Sequence, residues 1–309
     1  MYIYSMLKVI FAYLIVYVVW GSTYLFIRMA VQDFSPFFVV GMRFLTGGIL
    51  LVIFCFLRGF YKIPLSWKQI RNSLITGGLL LAGGNGLVTT AQKNVNSYLT
   101  ALIIASTPVV VLIFDRVLFG KRVQLSGWFG SLLGIAGVSL LLLQNEGTVR
   151  FQLSPEIVLI LGAMVSWALG TSLTKQFEMP RNSIVNASIQ LFSVGIVFSL
   201  MAALKYPSEL SNLPNVSLSS VAAVLYLALF GTVALGAYSF LLYTEPSKRV
   251  VTYALVNPLI AVLLGIVVAG ESRVPFLIPG TFFILCGLIL MFYGSTLWKL
   301  IRRKSINRG

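Results

Sequence analysis

The chain has no histidine, two cysteines and only eight acidic residues in 309. Charged residues make up 10% of it and hydrophobic ones 58%, with a mean hydropathy of +0.93. Each shortage excludes something. Without histidine there is no imidazole base and no His-ligated metal. Cys55 and Cys286 both fall inside apolar runs. They build no disulfide framework, and a structural zinc is disfavoured. So little charge cannot keep a soluble surface of this size wet, since ordinary chains carry about 25% charged residues. The solvent for such a chain is lipid.

What is present is a series of long oily runs. Ten are predicted, at 8–30, 37–57, 70–92, 98–119, 125–143, 155–176, 182–204, 217–242, 248–269 and 275–298. A hydrocarbon core about 30 Å thick takes roughly 20 apolar residues per helix. Backbone groups in lipid must be paired within their own segment, so the runs are predicted helices. A membrane barrel would alternate polar and apolar residues over about ten positions, and these runs do not. The first run is too long for a cleavable signal, lacks a small-residue cleavage motif and resembles a later run, so it counts as a span. The expected fold class is an all-α membrane protein of ten transmembrane helices.

The net charge of +15 raises nucleic acid as a partner. The charges, however, sit in short loops between apolar runs, which argues against nucleic acid. Sorting the 23 Lys and Arg residues loop by loop puts seventeen on one side and six on the other, the six being Arg28, Arg43, Lys93, Arg150, Lys205 and Arg273. The positive-inside rule then places both termini in the cytoplasm, with the protein in the plasma or inner membrane. The basic ending KLIRRKSINRG fixes orientation and touches anionic lipid.

An internal repeat is visible. Trp20 precedes Arg28 by the same interval as Trp167 precedes Lys175, at an offset of 147. STPVVVLIFDRVLFGKR around Pro108 aligns with VNPLIAVLLGIVVAGES around Pro258 at an offset of 150, pairing Gly120 with Gly270, Gly130 with Gly280 and Gly137 with Gly287. The chain therefore divides into halves at 1–145 and 150–309. Five spans per half is an odd number, so the second copy inserts upside down. Two inverted five-helix repeats are a recurrent build of secondary transporters, with substrate held near the midplane between them.

WGS in the first run, SPFFVVGMRF opening the second, ASTPVVVLIFDRVLFGKR in the fourth, LVNPLIAVLLGIVVAGES in the ninth and the glycine-rich fifth and tenth together resemble the drug/metabolite transporter superfamily, in its EamA-like group. The likeness covers nearly the whole chain and rests on the order and spacing of motifs. It implies ten helices, cytoplasmic termini and movement of small metabolites. One departure is Lys121, where the fourth helix of the family usually ends in Gly-Glu; Gly270-Glu271 keeps that pattern.

Helical side chains three or four apart share a face. Tyr13, Tyr17, Trp20, Tyr24 and Arg28 then form one stripe, and Met164, Trp167, Thr171 and Lys175 another. Asn85, Thr89 and Gln92 align in the third run after GLLLAGGNG, and Tyr253 and Asn257 lie a turn apart in the ninth. In the fourth run Thr100, Thr107 and Asp115 fall roughly on one side, flanking Pro108. The candidate substrate-binding residues are Tyr17, Trp20, Tyr24, Asn85, Thr89, Thr107, Trp167, Thr171, Tyr253 and Asn257. Trp20 and Trp167 sit near mid-span, beyond the reach of interfacial belts, which favours cavity lining over a belt role. Unpaired amides cost about 4–8 kcal/mol in hydrocarbon, so Asn85, Gln92, Asn186, Gln190 and Asn257 face either neighbouring helices or a wet cavity. Pro108 and Pro258 each remove a backbone donor and kink their helices, either statically or between states. Thr107 and Asn257 stand next to them, ready to pair the freed carbonyls.

Arg28, Arg43 and Lys175 are candidate anion contacts, set against ordinary snorkelling to the interface. None of the eight acids lies at the centre of a span, whereas proton-coupled pumps keep a buried carboxylate or His relay. Asp115, beside Arg116, is the nearest coupling candidate, and a salt bridge there is the plainer reading. These features fit facilitated diffusion or exchange of small amphipathic metabolites, amino acids or aromatic derivatives, by alternating access and in the export direction. No cofactor or metal is expected, and the carrier is a monomer or homodimer. The alternative is a flippase for lipid-linked sugars with Arg28 and Arg43 as a head-group site. No nucleophile–base pair supports an enzyme, and no charge ring or carbonyl filter supports a channel.

Overall fold

The computed structural model describes residues 2–95, 97–142, 154–211, 216–268 and 276–306. Glu146, Arg150, Gly270, Glu271, Arg273 and Arg308 lie outside them. Among the described residues all regular structure is helical. We number the main helices α1 (Tyr2–Asp33), α2 (Pro36–Leu57), α3 (Trp67–Ala91), α4 (Ser97–Ile104), α5 (Thr107–Val117), α6 (Leu125–Leu142), α7 (Pro155–Thr174), α8 (Ser183–Lys205), α9 (Leu218–Thr244), α10 (Tyr253–Val268) and α11 (Leu277–Ile306). Eight segments among the described residues are long and apolar enough to cross a membrane, and Leu125–Leu140 is a shorter apolar helix.

Helix starts follow the local chemistry. Ser35 accepts from the Phe38 N–H ahead of Pro36, Ser154 from the Ile157 N–H ahead of Pro155, and Asn182 from the Ile184 N–H. An oxygen at the cap satisfies an orphan donor, and proline at the first position forfeits none. Ser66 and Gln69 form a reciprocal capping box at the start of α3.

Two expectations are modified. The fourth run is two helices, broken at Ala105-Ser106, and Pro108 lies in the first turn of α5, where its missing N–H is harmless. It breaks the span instead of bending it. The Thr107 hydroxyl donates to the Ile104 carbonyl at 2.6 Å across the break. In α3 the segment Gly78–Gly86 winds as a wide π-helix instead of the α-helix expected there. Ser166 of α7 donates to the Leu79 carbonyl within it. Helix α1 runs unbroken through its polar patch. Ser22 and Thr23 donate back to the Val19 and Trp20 carbonyls, both at 2.7 Å.

The core is a bundle. Helix α2 packs along α8, α6 along α11, α1 against α9 and α10, and α7 against α3, α4 and α5. Two of these crossings bring backbone onto backbone. A Cβ added to Gly48 would stand 2.5 Å from the Phe192 nitrogen, and one on Gly195 would meet the Leu45 nitrogen. A Cβ on Gly130 would lie 2.7 Å from the Gly287 carbonyl, and one on Gly137 equally close to that of Gly280. Without hydrophobic drive between helices in lipid, such close approach is what association rests on. Large apolar side chains such as Phe56, Leu57, Leu204 and Leu218 face outward, as a lipid-facing surface requires.

Gly195→Leu is expected to lower the detergent melting temperature by an amount equivalent to at least 2 kcal/mol, through forced separation of α2 and α8. Gly78→Ala, where an added Cβ meets nothing within 4 Å, is the control and should melt like the parent. Equal melting of the two would contradict the packing account.

Candidate functional site

A cavity of about 70 Å³ opens where α1, α3, α7 and α10 converge, reached also by α2, α4 and α5. Trp20, Thr23, Tyr24 and Ile27 line it from α1, Gly84, Asn85 and Val88 from α3, Ala163 and Trp167 from α7, and Tyr253 and Asn257 from α10. Ile104 and Thr107 reach it from either side of the broken fourth run, and Arg43 from α2.

Aromatic rings floor the cavity. Trp20 and Trp167 meet edge to face, centroids 5.3 Å apart at 84°. Tyr253 stands edge-on to Trp20 at 4.9 Å, and Tyr238 tilts against it at the same distance. Such pairs contribute about 0.5–1.5 kcal/mol each beyond area burial. The polar tips are paired as well. The Trp167 indole N–H donates to the Tyr238 hydroxyl at 3.2 Å, which also shares a 2.6 Å hydrogen bond with Thr171. Gly84 makes room for this, because a Cβ there would stand 2.5 Å from Trp167 Cε3.

Eight sequence-predicted residues thus meet around one space: Trp20, Tyr24, Arg43, Asn85, Thr107, Trp167, Tyr253 and Asn257. The others do not line it. Tyr17 lies beneath, its hydroxyl 2.6 Å from Thr252 Oγ1. Thr89 is buried and donates to the Asn85 carbonyl, while Thr171 backs Tyr238. Arg28 is exposed. Lys175, just past the end of α7, donates to the Glu245 carbonyl, and burial, with the Lys121 charge adding to it, pulls its amine down to about 8. Asp115 pairs with Lys121 at 3.1 Å, not with Arg116. The lysine that departs from the family pattern therefore has a partner.

With its amide nitrogen facing the surrounding carbonyls, Asn257 donates to Tyr253 at 3.0 Å and to Tyr17 of α1 at 3.3 Å. It holds the first turn of α10 just before Pro258, which sits inside that helix. On the N-terminal side of the aromatic floor further rings and an ion pair pack together. Tyr13 packs on Tyr17 and Phe292, and Arg249 pairs with Glu245 at 3.1 Å and donates to the Phe292 carbonyl.

Sequence reasoning missed Tyr238, which reads as an interfacial belt residue from its place near the end of α9. Thr23 and Gly84 lay within stretches singled out for other reasons. Ile27, Val88, Ile104 and Ala163 carry no signal that separates them from other apolar residues. Among the described residues no group of three or more His, Cys, Asp or Glu could hold a metal.

Apolar helices of membrane length around a chamber of aromatic and amide groups are the build of a membrane carrier. The chain belongs to the EamA-like transporter family, whose model matches residues 7–143 and again 154–293. That family is one of integral membrane transporters, not enzymes. An uncharacterized inner membrane transporter of Escherichia coli K12, YedA, is 36% identical over 91% of this chain and 90% of its own length. A probable amino-acid metabolite efflux pump of Salmonella typhimurium is 23% identical, covering 92% and 94%. A solved crystal structure superposes with a TM-score of 0.76 at 19% identity, over 94% of this chain and 98% of the other, a likeness of fold alone.

Tyr238→Phe removes the acceptor of the Trp167 indole and the partner of Thr171. It is expected to destabilise the protein by about 1–2 kcal/mol, read as a lower melting temperature in detergent. An unchanged melting temperature would show that this network holds nothing.

Proposed function

We propose that the chain is a secondary transporter of the inner membrane that exports small amphipathic metabolites, amino acids or aromatic derivatives, by alternating access. Its ten spans form two inverted five-helix repeats, residues 1–145 and 150–309, with both termini cytoplasmic. The observation that carries this reading is the meeting of Trp20 and Trp167, which are equivalent at the 147-residue offset, at the floor of the cavity.

The same offset runs through the packing. Position 48 faces 192, and their counterparts 195 and 45 face each other; at an offset of 150, the contact of 130 with 287 corresponds to that of 280 with 137. Helix α1 lies on α9 as α7 lies on α3. Reciprocal contacts of this kind are what a two-fold axis in the membrane plane produces. The twice-matching family model and the printed function of the Salmonella relative point the same way. At about 70 Å³ the cavity is smaller than the ~300–1,000 Å³ of ligand pockets, so a solute widens it on entry. With cytoplasmic termini, the contacts of Tyr13 with Tyr17 and Phe292 support a state closed toward the cytoplasm. Asp115, tied to Lys121 away from the cavity, gives no support to proton coupling, so the mode is facilitated diffusion or exchange. The lipid-flippase alternative is weakened by Arg28, which is exposed and apart from Arg43.

In liposomes of purified protein with no pH gradient, one or more labelled amino acids or aromatic metabolites from a panel should be transported. Trp20→Ala and Trp167→Ala should each slow that transport at least tenfold while leaving monodisperse protein. Undiminished transport in both would refute the site. Reporter tags at the two termini should both read cytoplasmic, and tags on opposite sides would refute the inverted repeat.

A further inference from the structure

We infer that the solute is a small organic anion whose carboxylate docks on Arg43, and that its transport moves net charge. This rests on the carrier reading above and names the substrate class of that same cavity. Arg43 is 4% exposed, yet it lines the cavity. Its Nε and Nη1 atoms have no hydrogen-bond partner, and among the described residues no carboxylate pairs with it. Its guanidinium lies over the face of Phe44, 4.7 Å from the ring centroid. A guanidinium offers five donors in a planar fork matched to a carboxylate.

Snorkelling does not account for it. Nη2 lies 3.4 Å from where a Cβ on Gly231 would stand. That glycine is thirteen residues beyond Leu218, where α9 begins, or about 20 Å along the helix. The head group is held deep in the bundle. Its counterpart at the 147-residue offset is Gln190, which donates to Thr76 at 2.9 Å. The position matching Thr76 is Ala223, which has no hydroxyl. One half satisfies its polar side chain internally and the other leaves a cation open to the cavity.

The charge count follows. The six acids among the described residues, Asp33, Asp115, Glu156, Glu178, Glu209 and Glu245, all have partners elsewhere, and none lines the cavity. Among the described residues no cavity carboxylate is available to carry a compensating proton. A monocarboxylate with an apolar or aromatic body, seated on Trp20 and Trp167, therefore crosses as an anion. A membrane potential that is negative inside drives it outward.

The test uses purified protein in liposomes at pH 8, loaded with labelled phenylacetate, with protein-free liposomes as the background. Valinomycin with a tenfold outward potassium gradient should accelerate efflux several-fold over equal potassium, and the reversed gradient should slow it. Arg43→Gln should lower phenylacetate efflux at least tenfold, with Arg43→Lys in between. As a check independent of any variant, the unmodified protein should bind phenylacetate at least tenfold tighter than neutral phenylacetamide, read by tryptophan fluorescence. Equal affinity for acid and amide, or efflux indifferent to the potential, would overturn the inference. If the protein transports neutral or zwitterionic solutes but not phenylacetate, the inference falls and the carrier reading stands. If it transports no member of the wider panel, the carrier reading falls with it.

Discussion

Hydrocarbon offers no hydrogen bonds, so every polar group in a span must find its partner within the protein, and the structure is organised by that demand. Most hydroxyls in the spans answer it locally. Ser22, Thr23, Thr89, Thr171 and Thr174 all donate to carbonyls three or four residues back on their own helices, and Thr107 does the same across the break in the fourth run. The amides and tyrosines answer it across helices, as Gln190 does with Thr76, Asn257 with Tyr17 and Tyr238 with Trp167. Among the described residues the demand is left unmet at scattered points, the Gln92 amide, the Tyr13 and Ser73 hydroxyls and Nε and Nη1 of Arg43 among them, and of these residues Arg43 is the one that lines the cavity. Polarity left over in such a setting is a functional feature by default.

The same constraint decides how much was legible in the sequence. Eight of the ten predicted spans coincide with helices long and apolar enough to cross a membrane, because lipid permits little besides a helix and apolar length suffices to find one. The convergence of Trp20, Asn85, Trp167, Tyr253 and Asn257 was readable because bulky or polar residues near mid-span have few other places to go. The break before Pro108 and the wide coil at Gly78–Gly86 were not. Both depend on where neighbouring helices press, as Ser166 does on the Leu79 carbonyl. Tyr238 was hidden for the opposite reason, because its position near a helix end imitates an interfacial residue. Lys121 stood out in the sequence as a departure, but only the fold placed it opposite Asp115.

The two halves are alike in packing and unlike in chemistry. Glycine crossings, the tryptophan pair and the helix neighbours recur between them, whereas the polar complement does not: Arg43 stands where the other half has Gln190, and Arg28 where it has Lys175. Under the proposed inverted repeat, similar packing would give two arrangements of comparable energy, and unlike side chains would hold a solute on one side of the pseudo-axis more than on the other.

The backbone contacts at Gly48 with Phe192 and at Gly130 with Gly287 have a mechanical consequence. Two helices in main-chain contact cannot slide without lifting each over the ridges of the other. The α2–α8 and α6–α11 pairs are therefore fixed posts. In the proposed carrier, opening and shutting would fall to the helices hung between them, and among these the divided fourth run and proline-bearing α10 contain joints at which a short arm could swing.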